Sequence, residues 1–173
     1  MNQTLSDLKA RRSVRQYKPE QIEETLLDQV LEAGTYAPTG MNRQSPLIVA
    51  VQDNQTIATL RRMNAQIMGN PDSDPFYGAP TVLVVFADKN VRTYREDGSL
   101  VIGNLCNAAY ALGLGSCWIH RAKEEFETEE GKELMRKWGV GPQYEGIGHC
   151  ILGYPESIPE TKPRKDGYII KIK

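Results

Sequence analysis

The residues best suited to chemistry lie near the N-terminus, in the stretch KARRSVRQYKP. Lys9, Arg11, Arg12 and Arg15 place four cationic side chains within seven residues of a chain whose formal net charge is only −1. Alternate residues of an extended segment face the same way, so Arg11, Ser13 and Arg15 could converge on one anion. Two guanidinium forks and a hydroxyl suit a phosphate monoester. The alternative is a solvated basic helix end that complements the helix dipole.

Two further polar clusters could contribute to the same site. Thr39, Asn42 and Gln44 carry hydrogen-bond donors and acceptors on a loop with Gly and Pro, directly before an apolar run. Amide side chains of this kind can read an imide edge such as that of a flavin ring, although an ordinary helix-to-strand turn is the alternative. Lys162 and Arg164 alternate on a Pro-rich segment. They could complete a phosphate site, or belong to a solvated tail.

Composition limits the partners that these clusters could serve. A chain of 173 residues with 40% hydrophobic content can close one sizeable core, so we expect a single domain over residues 1–173. Lys and Arg (21) nearly balance Asp and Glu (22), which argues against nucleic acid or a membrane as partner. Three cysteines without CxxC spacing and the lack of an apolar leader predict a cytoplasmic protein. The expected partner is a small molecule.

Hydrophobic periodicity predicts the elements that must position the clusters. Thr4 begins a capping-box pattern for a short helix ending near the arginines, and Asn54 is the predicted cap of a later helix. The continuous apolar runs at 46–52 and 80–88 predict central strands covered on both faces. Further helices are predicted at 19–34, 54–68, 97–115 and 123–139, and further strands at 115–120, 146–155 and 168–173. The fold class is therefore α+β, layered, with helices on both faces of a central sheet and an extended C-terminal arm.

Five stretches in this order resemble the nitroreductase family of FMN-dependent oxidoreductases. They are RRSVRQYKP, APTGMNRQSPLIVAV, FYGAPTVLVVFAD, DGSLVIGNLCNAAYALGLGSCW and ILGYPESIPETKPRK, and together they extend over nearly the whole chain. The resemblance implies a nitroreductase-like fold with a mixed sheet, FMN as cofactor and NAD(P)H as electron donor. It also implies a homodimer with FMN at the interface, and a small electron-poor acceptor such as a nitroaromatic or a quinone.

The same resemblance implies three groups of cofactor-binding residues. The phosphate and ribityl end would be held by Arg11, Arg12, Ser13 and Arg15, with Lys162 and Arg164. The loop along the isoalloxazine, usually contributed by the other subunit, would be Pro38, Thr39, Gly40, Met41 and Asn42, with Gln44 nearby. The stretch passing the flavin face and its N5 edge would run from Cys117, Trp118 and Ile119 to Arg121. The sequence departs from the family where Ser45 interrupts N-x-Q-P and where IHRAK replaces a Glu-Gly pair near N5.

No catalytic residue is predicted, because no Ser-His-Asp, Cys-His or paired-carboxylate arrangement accompanies these motifs. The chemistry would lie on the flavin itself, and donor and acceptor would use one ring face in turn, which predicts ping-pong kinetics. His120 is a candidate proton donor, with a structural role as the alternative. His149 and Cys150 are adjacent and would face opposite ways on a strand, so no metal site is predicted. A flavin-sequestering or flavin-sensing protein with slow turnover is the alternative function.

Overall fold

The centre of the fold is a four-stranded antiparallel sheet with the strand order β1-β2-β4-β3. The computed structural model describes residues 2–173. In chain order the strands are β1 (Pro46–Val51), β2 (Thr81–Asp88), β3 (Gly115–Ile119) and β4 (Tyr144–Gly153). Strands β2 and β4 therefore occupy the middle of the sheet, and β1 and β3 form its edges.

Helices cover both faces of the sheet, as the sequence predicts. They are α1 (Gln3–Ala10), α2 (Glu24–Thr35), α3 (Asn54–Ile67), α4 (Tyr94–Ala111), α5 (Ala122–Glu127) and α6 (Glu129–Lys137). Along β2, Val82 and Val84 contribute to one buried cluster with α3, α5 and α6, while Leu83 and Val85 contribute to another with α2 and α4. This alternation explains the continuous apolar run of β2, since each face of the strand meets a helical layer.

Close packing between α2 and α4 depends on a glycine. A Cβ atom at Gly34 would lie 2.6 Å from the Leu105 side chain, so a larger residue here would force Leu105 to shift. On the opposite face, the rings of Phe86 and Phe126 meet edge to face at 4.7 Å between centroids. Each such aromatic pair adds about 0.5–1.5 kcal/mol beyond the burial of its area. Both layers are thus fixed firmly against the sheet.

The sheet differs from the prediction in three respects. All neighbouring strands are antiparallel, and parallel pairing within residues 2–173 is confined to a bridge between Ser13 and Ser116. The prediction that β1 is central is wrong, because β1 lies at an edge and is only half-buried for most of its length. The predicted strand at 168–173 does not form. Its apolar side chains extend into solvent, and a strand requires a hydrogen-bonding neighbour.

Helix boundaries also move from their predicted positions. Asn2 and Asp53, rather than Thr4 and Asn54, cap α1 and α3 by accepting backbone N–H bonds with their side chains. The single helix predicted at 123–139 is broken at Thr128, whose extended backbone and side-chain bond to the Gly131 N–H start a new helix. In the described residues 2–173, none of the helices combines the length and apolarity needed to cross a bilayer.

Candidate functional site

The basic segment after α1 lies along the edge of the sheet. The Val14 N–H donates to the Ser116 carbonyl of β3 at 2.9 Å, and Val14 is only 3% exposed. Because side chains of an extended segment alternate, the residues on either side of Val14 face away from that core. Arg11, Ser13 and Arg15 are therefore presented on the outside of the sheet edge, which agrees with the alternation in the sequence.

Arg11 and Ser13 open onto a cavity of about 360 Å³ between the basic segment, α4 and β3. Its lining consists of Arg11, Ser13, Ser99, Ile102, Gly103, Cys106, Asn107 and Trp118. Within residues 2–173, the Arg11 guanidinium makes neither a hydrogen bond nor an ion pair. Trp118 is 54% exposed and leans over Gly148, where a Cβ would lie 2.4 Å from the indole nitrogen. A free cation, a hydroxyl and an exposed indole fit a planar ligand that carries an anionic group.

Arg12 faces the other way and is bound by the protein itself. Its guanidinium donates to the Lys9 carbonyl at 2.7 Å, to the Arg11 carbonyl and to the Thr161 hydroxyl. Arg12 does not line this cavity, and its buried Nε has no hydrogen-bond partner within residues 2–173. The bond to Thr161 instead fixes the C-terminal arm beside the basic segment.

The remaining cations of the predicted phosphate site lie further out. Arg15 is exposed, and its guanidinium stands over the Tyr77 ring at 5.8 Å from the centroid. Lys162 and Arg164 are exposed on the arm next to Thr161, and Arg164 donates to the Lys162 carbonyl at 2.9 Å. The arm thus comes near the basic segment, but these side chains do not line the cavity.

The loop at 38–44 forms a second, separate polar surface. Met41, Asn42 and Gln44 all have positive φ values, of 56°, 53° and 50°. Asn tolerates this conformation, but it costs residues such as Met41 and Gln44 about 1–2 kcal/mol each, so contacts around the loop must hold it. The Gly40 N–H donates to the buried Asp97 carboxylate at 2.9 Å, and this bond anchors the loop on α4.

Internal hydrogen bonds hold the loop in this shape, but they do not bring it to the first cavity. The Thr39 hydroxyl accepts from the Gln44 N–H at 3.1 Å, and the Gln44 amide donates to the Asn42 side chain at 3.2 Å. Thr39 and Gln44 line a cavity of about 420 Å³ with α2 and β1. The chain therefore does not unite the two groups of predicted site residues in one cavity.

Strand β3 presents only one of its predicted site side chains to the first cavity. Cys117 and Ile119 are 2% and 6% exposed and belong to the core on the opposite face, whereas Trp118 faces outward. His120 is exposed, and its ring lies 6.0 Å from the Trp118 ring. Any contact that a ligand makes with Cys117 or Ile119 must therefore involve their backbone.

Two of the three thiols lie close together, one of them Cys106 in the cavity lining and the other the buried Cys150. The Cys106 and Cys150 sulfurs are 3.7 Å apart. A hydrogen bond from Cys150 lowers the pKa of the Cys106 thiol below its ordinary value, and Arg11 acts in the same direction. Burial instead raises the pKa of the Cys117 thiol. In the described part of the chain, no group of three or more His, Cys, Asp or Glu side chains could hold a metal ion.

The sequence reasoning missed the contribution of α4 to the cavity. Ser99, Gly103 and Asn107 recur every four residues and form a small, polar, outward face of the helix. The same helix carries a buried apolar stripe on its other side. The four-residue spacing of small and polar residues was the signal that could have identified this wall.

Comparison with known proteins gives a consistent result. Residues 8–154 match the Nitroreductase family. The fold is similar to that of a nitroreductase with bound FMN from Bacteroides fragilis NCTC 9343, with a TM-score of 0.91, 29% identity and 100% of both chains covered. The FMN reductase (NAD(P)H) of Bacillus subtilis is 26% identical over 95% of this chain and 70% of that protein. The NADH dehydrogenase of Thermus thermophilus is 38% identical over 82% of this chain and 63% of that protein.

Proposed function

The chain belongs to the Nitroreductase family, and on that premise we propose that it is an FMN-dependent oxidoreductase acting between NAD(P)H and a small electron-poor acceptor. The observation that carries this proposal is the Arg11 guanidinium beside Ser13, unpaired within residues 2–173, in a cavity whose wall includes the exposed ring of Trp118. FMN bears one terminal phosphate and one planar ring, and the cavity offers a group for each. When bound, FMN supplies the redox chemistry, through N5 of its ring.

The binding residues divide into an inner and an outer set. Arg11 and Ser13 would bind the phosphate directly, because both line the cavity and both carry hydrogen-bond donors. Arg15, Lys162 and Arg164 would surround it with positive charge at longer range. Arg12 would act indirectly, since its bond to the arm keeps Lys162 and Arg164 near the phosphate end. One domain, formed by residues 1–173, would contain this whole set.

A second copy of the chain would complete the site. In one chain the 38–44 loop lines a different cavity from Arg11 and Ser13, so its Pro38, Thr39, Gly40, Met41 and Asn42 would serve the ring bound by the partner. The arm supports this arrangement. Tyr168, Ile170 and Ile172 are 73%, 83% and 91% exposed, and a series of such side chains is typical of a surface that another protein covers. The active form would be a homodimer with FMN at its interface.

The protein's own role in the reaction would be to position its ligands and to exclude water. Trp118 would form one wall for the ring, and the backbone from Cys117 to Arg121 would pass its edge. We assign no side chain to nucleophilic or general-base catalysis, and the exposed His120 would have no essential role. Donor and acceptor would occupy the same space in turn, which predicts ping-pong kinetics with a nitroaromatic or a quinone as acceptor.

Steady-state kinetics with both substrates tests this proposal. Double-reciprocal plots of NAD(P)H oxidation at several acceptor concentrations should give parallel lines, whereas converging lines would exclude a shared site. Asn42→Ala should slow the reductive half-reaction, because it removes an amide from the ring edge. His120→Ala is the matched control and should leave that half-reaction within about twofold of wild type. A flavin-sequestering protein would bind FMN yet show no sustained turnover.

A further inference from the structure

We propose that Asn64, buried on α3, is a positioning residue that fixes the turn at His120 and Arg121 beside the flavin cavity. The location of the flavin in this proposal rests on the function proposed above. The anchor, by which we mean the contacts of Asn64 with the turn, lies entirely within the chain. It lies on the face of the sheet opposite the cavity and supports the turn from behind.

The turn needs an anchor because its backbone is strained. Arg121 has φ 79° and ψ 6°, which is the left-handed region. Residues with a side chain rarely adopt this region, because the Cβ atom crowds the following carbonyl oxygen. Such a conformation persists only where the surrounding contacts over-determine it. Only His120 separates Arg121 from the strand that carries Trp118, so a relaxed turn would displace the end of the cavity wall.

Asn64 provides contacts of the kind required. Its amide group donates to the His120 carbonyl at 2.9 Å, and its Oδ1 accepts from the Arg121 Nε at 2.9 Å. The same amide nitrogen donates to the Glu125 carboxylate. One buried side chain therefore holds the backbone on one side of the strained residue and the side chain of that residue. The Arg121 guanidinium points back towards α3, so it takes no part in the proposed phosphate site.

Two further contacts lie on the far side of the turn. The Glu125 N–H donates to the Arg121 carbonyl at 3.0 Å, and the Glu125 carboxylate lies 3.2 Å from the His149 ring nitrogen. Asn64, Glu125 and His149 are all 0% exposed. Polar groups buried so deeply are costly, and apolar residues would fill the space at lower cost. Their arrangement around one strained turn indicates that they serve to specify its geometry.

The decisive experiment is a rescue by glycine at the strained position. Asn64→Ala should let Arg121 leave the left-handed region, whereas Gly adopts that region without strain. We therefore expect Asn64→Ala to speed hydrogen exchange of the Glu125 amide by about tenfold or more in the purified protein. Adding Arg121→Gly should bring the rate back to within about threefold of wild type. An Asn64→Ala effect that Arg121→Gly does not reverse would show that Asn64 only fills the core.

Thr81→Val is a matched control for the loss of a buried polar group. Thr81 is 0% exposed and bonds to Gln21 and Gln52, away from the turn. This variant should leave exchange of the Glu125 amide within about threefold of wild type, and Arg121→Gly should not offset any loss of stability that it causes. An equal response to Asn64→Ala and Thr81→Val would overturn the proposal.

A second pair of variants covers the case in which Asn64→Ala fails to fold. Arg121→Gly and Arg121→Ala both lose the guanidinium, but only glycine tolerates φ 79°. Exchange of the Glu125 amide should be about 5- to 30-fold slower in Arg121→Gly than in Arg121→Ala. Equal rates would show that the left-handed conformation is not what the network holds.

The connection with the flavin is tested separately. In FMN-bound protein, the rate of flavin reduction and the visible spectrum should change in Asn64→Ala and return with Arg121→Gly. If the exchange data show the anchor but the reduction rate and the spectrum stay constant across all variants, the role towards the cofactor is wrong. If wild type binds no flavin, the proposed function fails, while the exchange result for the anchor still stands or falls on its own.

Discussion

Adjacent arginines with opposite environments allow a sharp test of the phosphate site. Arg11 faces the cavity with its guanidinium unbound within residues 2–173, whereas the Arg12 guanidinium is bonded to Lys9, Arg11 and Thr161. If Arg11 binds the phosphate, Arg11→Ala removes one charge-assisted hydrogen bond, which contributes about 1.5–3 kcal/mol. That corresponds to a Kd for FMN about 10- to 150-fold weaker. Because the Arg11 side chain makes no bond to the described residues, the free energy of unfolding without FMN should change by less than about 0.5 kcal/mol.

Arg12→Ala should show the opposite pattern. Its bonds within the chain are lost, so the free energy of unfolding should fall by about 1–3 kcal/mol, while the Kd for FMN should change less than in Arg11→Ala. Fluorescence titration with FMN and urea unfolding of the FMN-free protein measure the two quantities. Increasing ionic strength should weaken FMN binding by wild type more than by Arg11→Ala. The reasoning is refuted if Arg12→Ala weakens binding more than Arg11→Ala and leaves stability unchanged.

Three further predictions concern the arm, the thiols and a buried tyrosine. Wild type should sediment as a dimer at micromolar concentration, and deletion of residues 156–173 should yield a monomer; a dimer that survives the deletion would exclude the arm as its main contact. Iodoacetamide should modify Cys106 at a lower pH than Cys117, because the pKa of Cys106 is lowered and that of Cys117 is raised. Peptide mass mapping should also show that FMN protects Cys106, and equal modification with and without FMN would contradict the location of the site. Burial, followed by the neighbouring thiols, raises the pKa of Tyr17 above its ordinary value, so folding favours the neutral phenol. This contribution to the free energy of unfolding is fully present below about pH 10, where tyrosine ionises in the unfolded chain, and is lost as the pH rises towards the pKa of Tyr17 in the folded protein. Urea unfolding at a series of pH values should show a smaller alkaline loss of stability in Tyr17→Phe than in wild type. The same pH profile in both proteins would refute this role of Tyr17.

The sequence predicts the layered fold well because its main signals are local. The apolar run of β2 meets a helical layer on each face, and the prediction of helices on both sides of the sheet is confirmed. The position of β1 could not be obtained in this way. Its run is as apolar as that of β2, yet it lies at an edge, since hydrophobicity alone does not reveal how many neighbours a strand has.

The candidate site illustrates the same limit at the level of single residues. Alternation along an extended segment correctly separates Arg11 and Ser13 from the buried Val14. It does not reveal that Arg12 turns back to bond with Thr161, a residue 149 positions away. Contacts between distant parts of the chain, such as those of Asn64 with Arg121, are likewise invisible in local patterns. They depend on the packing of whole elements, which short-range spacing does not encode.

The central claim is that the cavity of Arg11, Ser13 and Trp118 binds FMN, and the flavin content of the purified protein tests it most directly. We predict visible flavin absorption, one flavin per chain, and release on heating of a compound that co-migrates with FMN in chromatography. The bands should bleach when NAD(P)H is added without oxygen. A protein that remains colourless after incubation with excess FMN, or that releases FAD or riboflavin instead, would contradict the account.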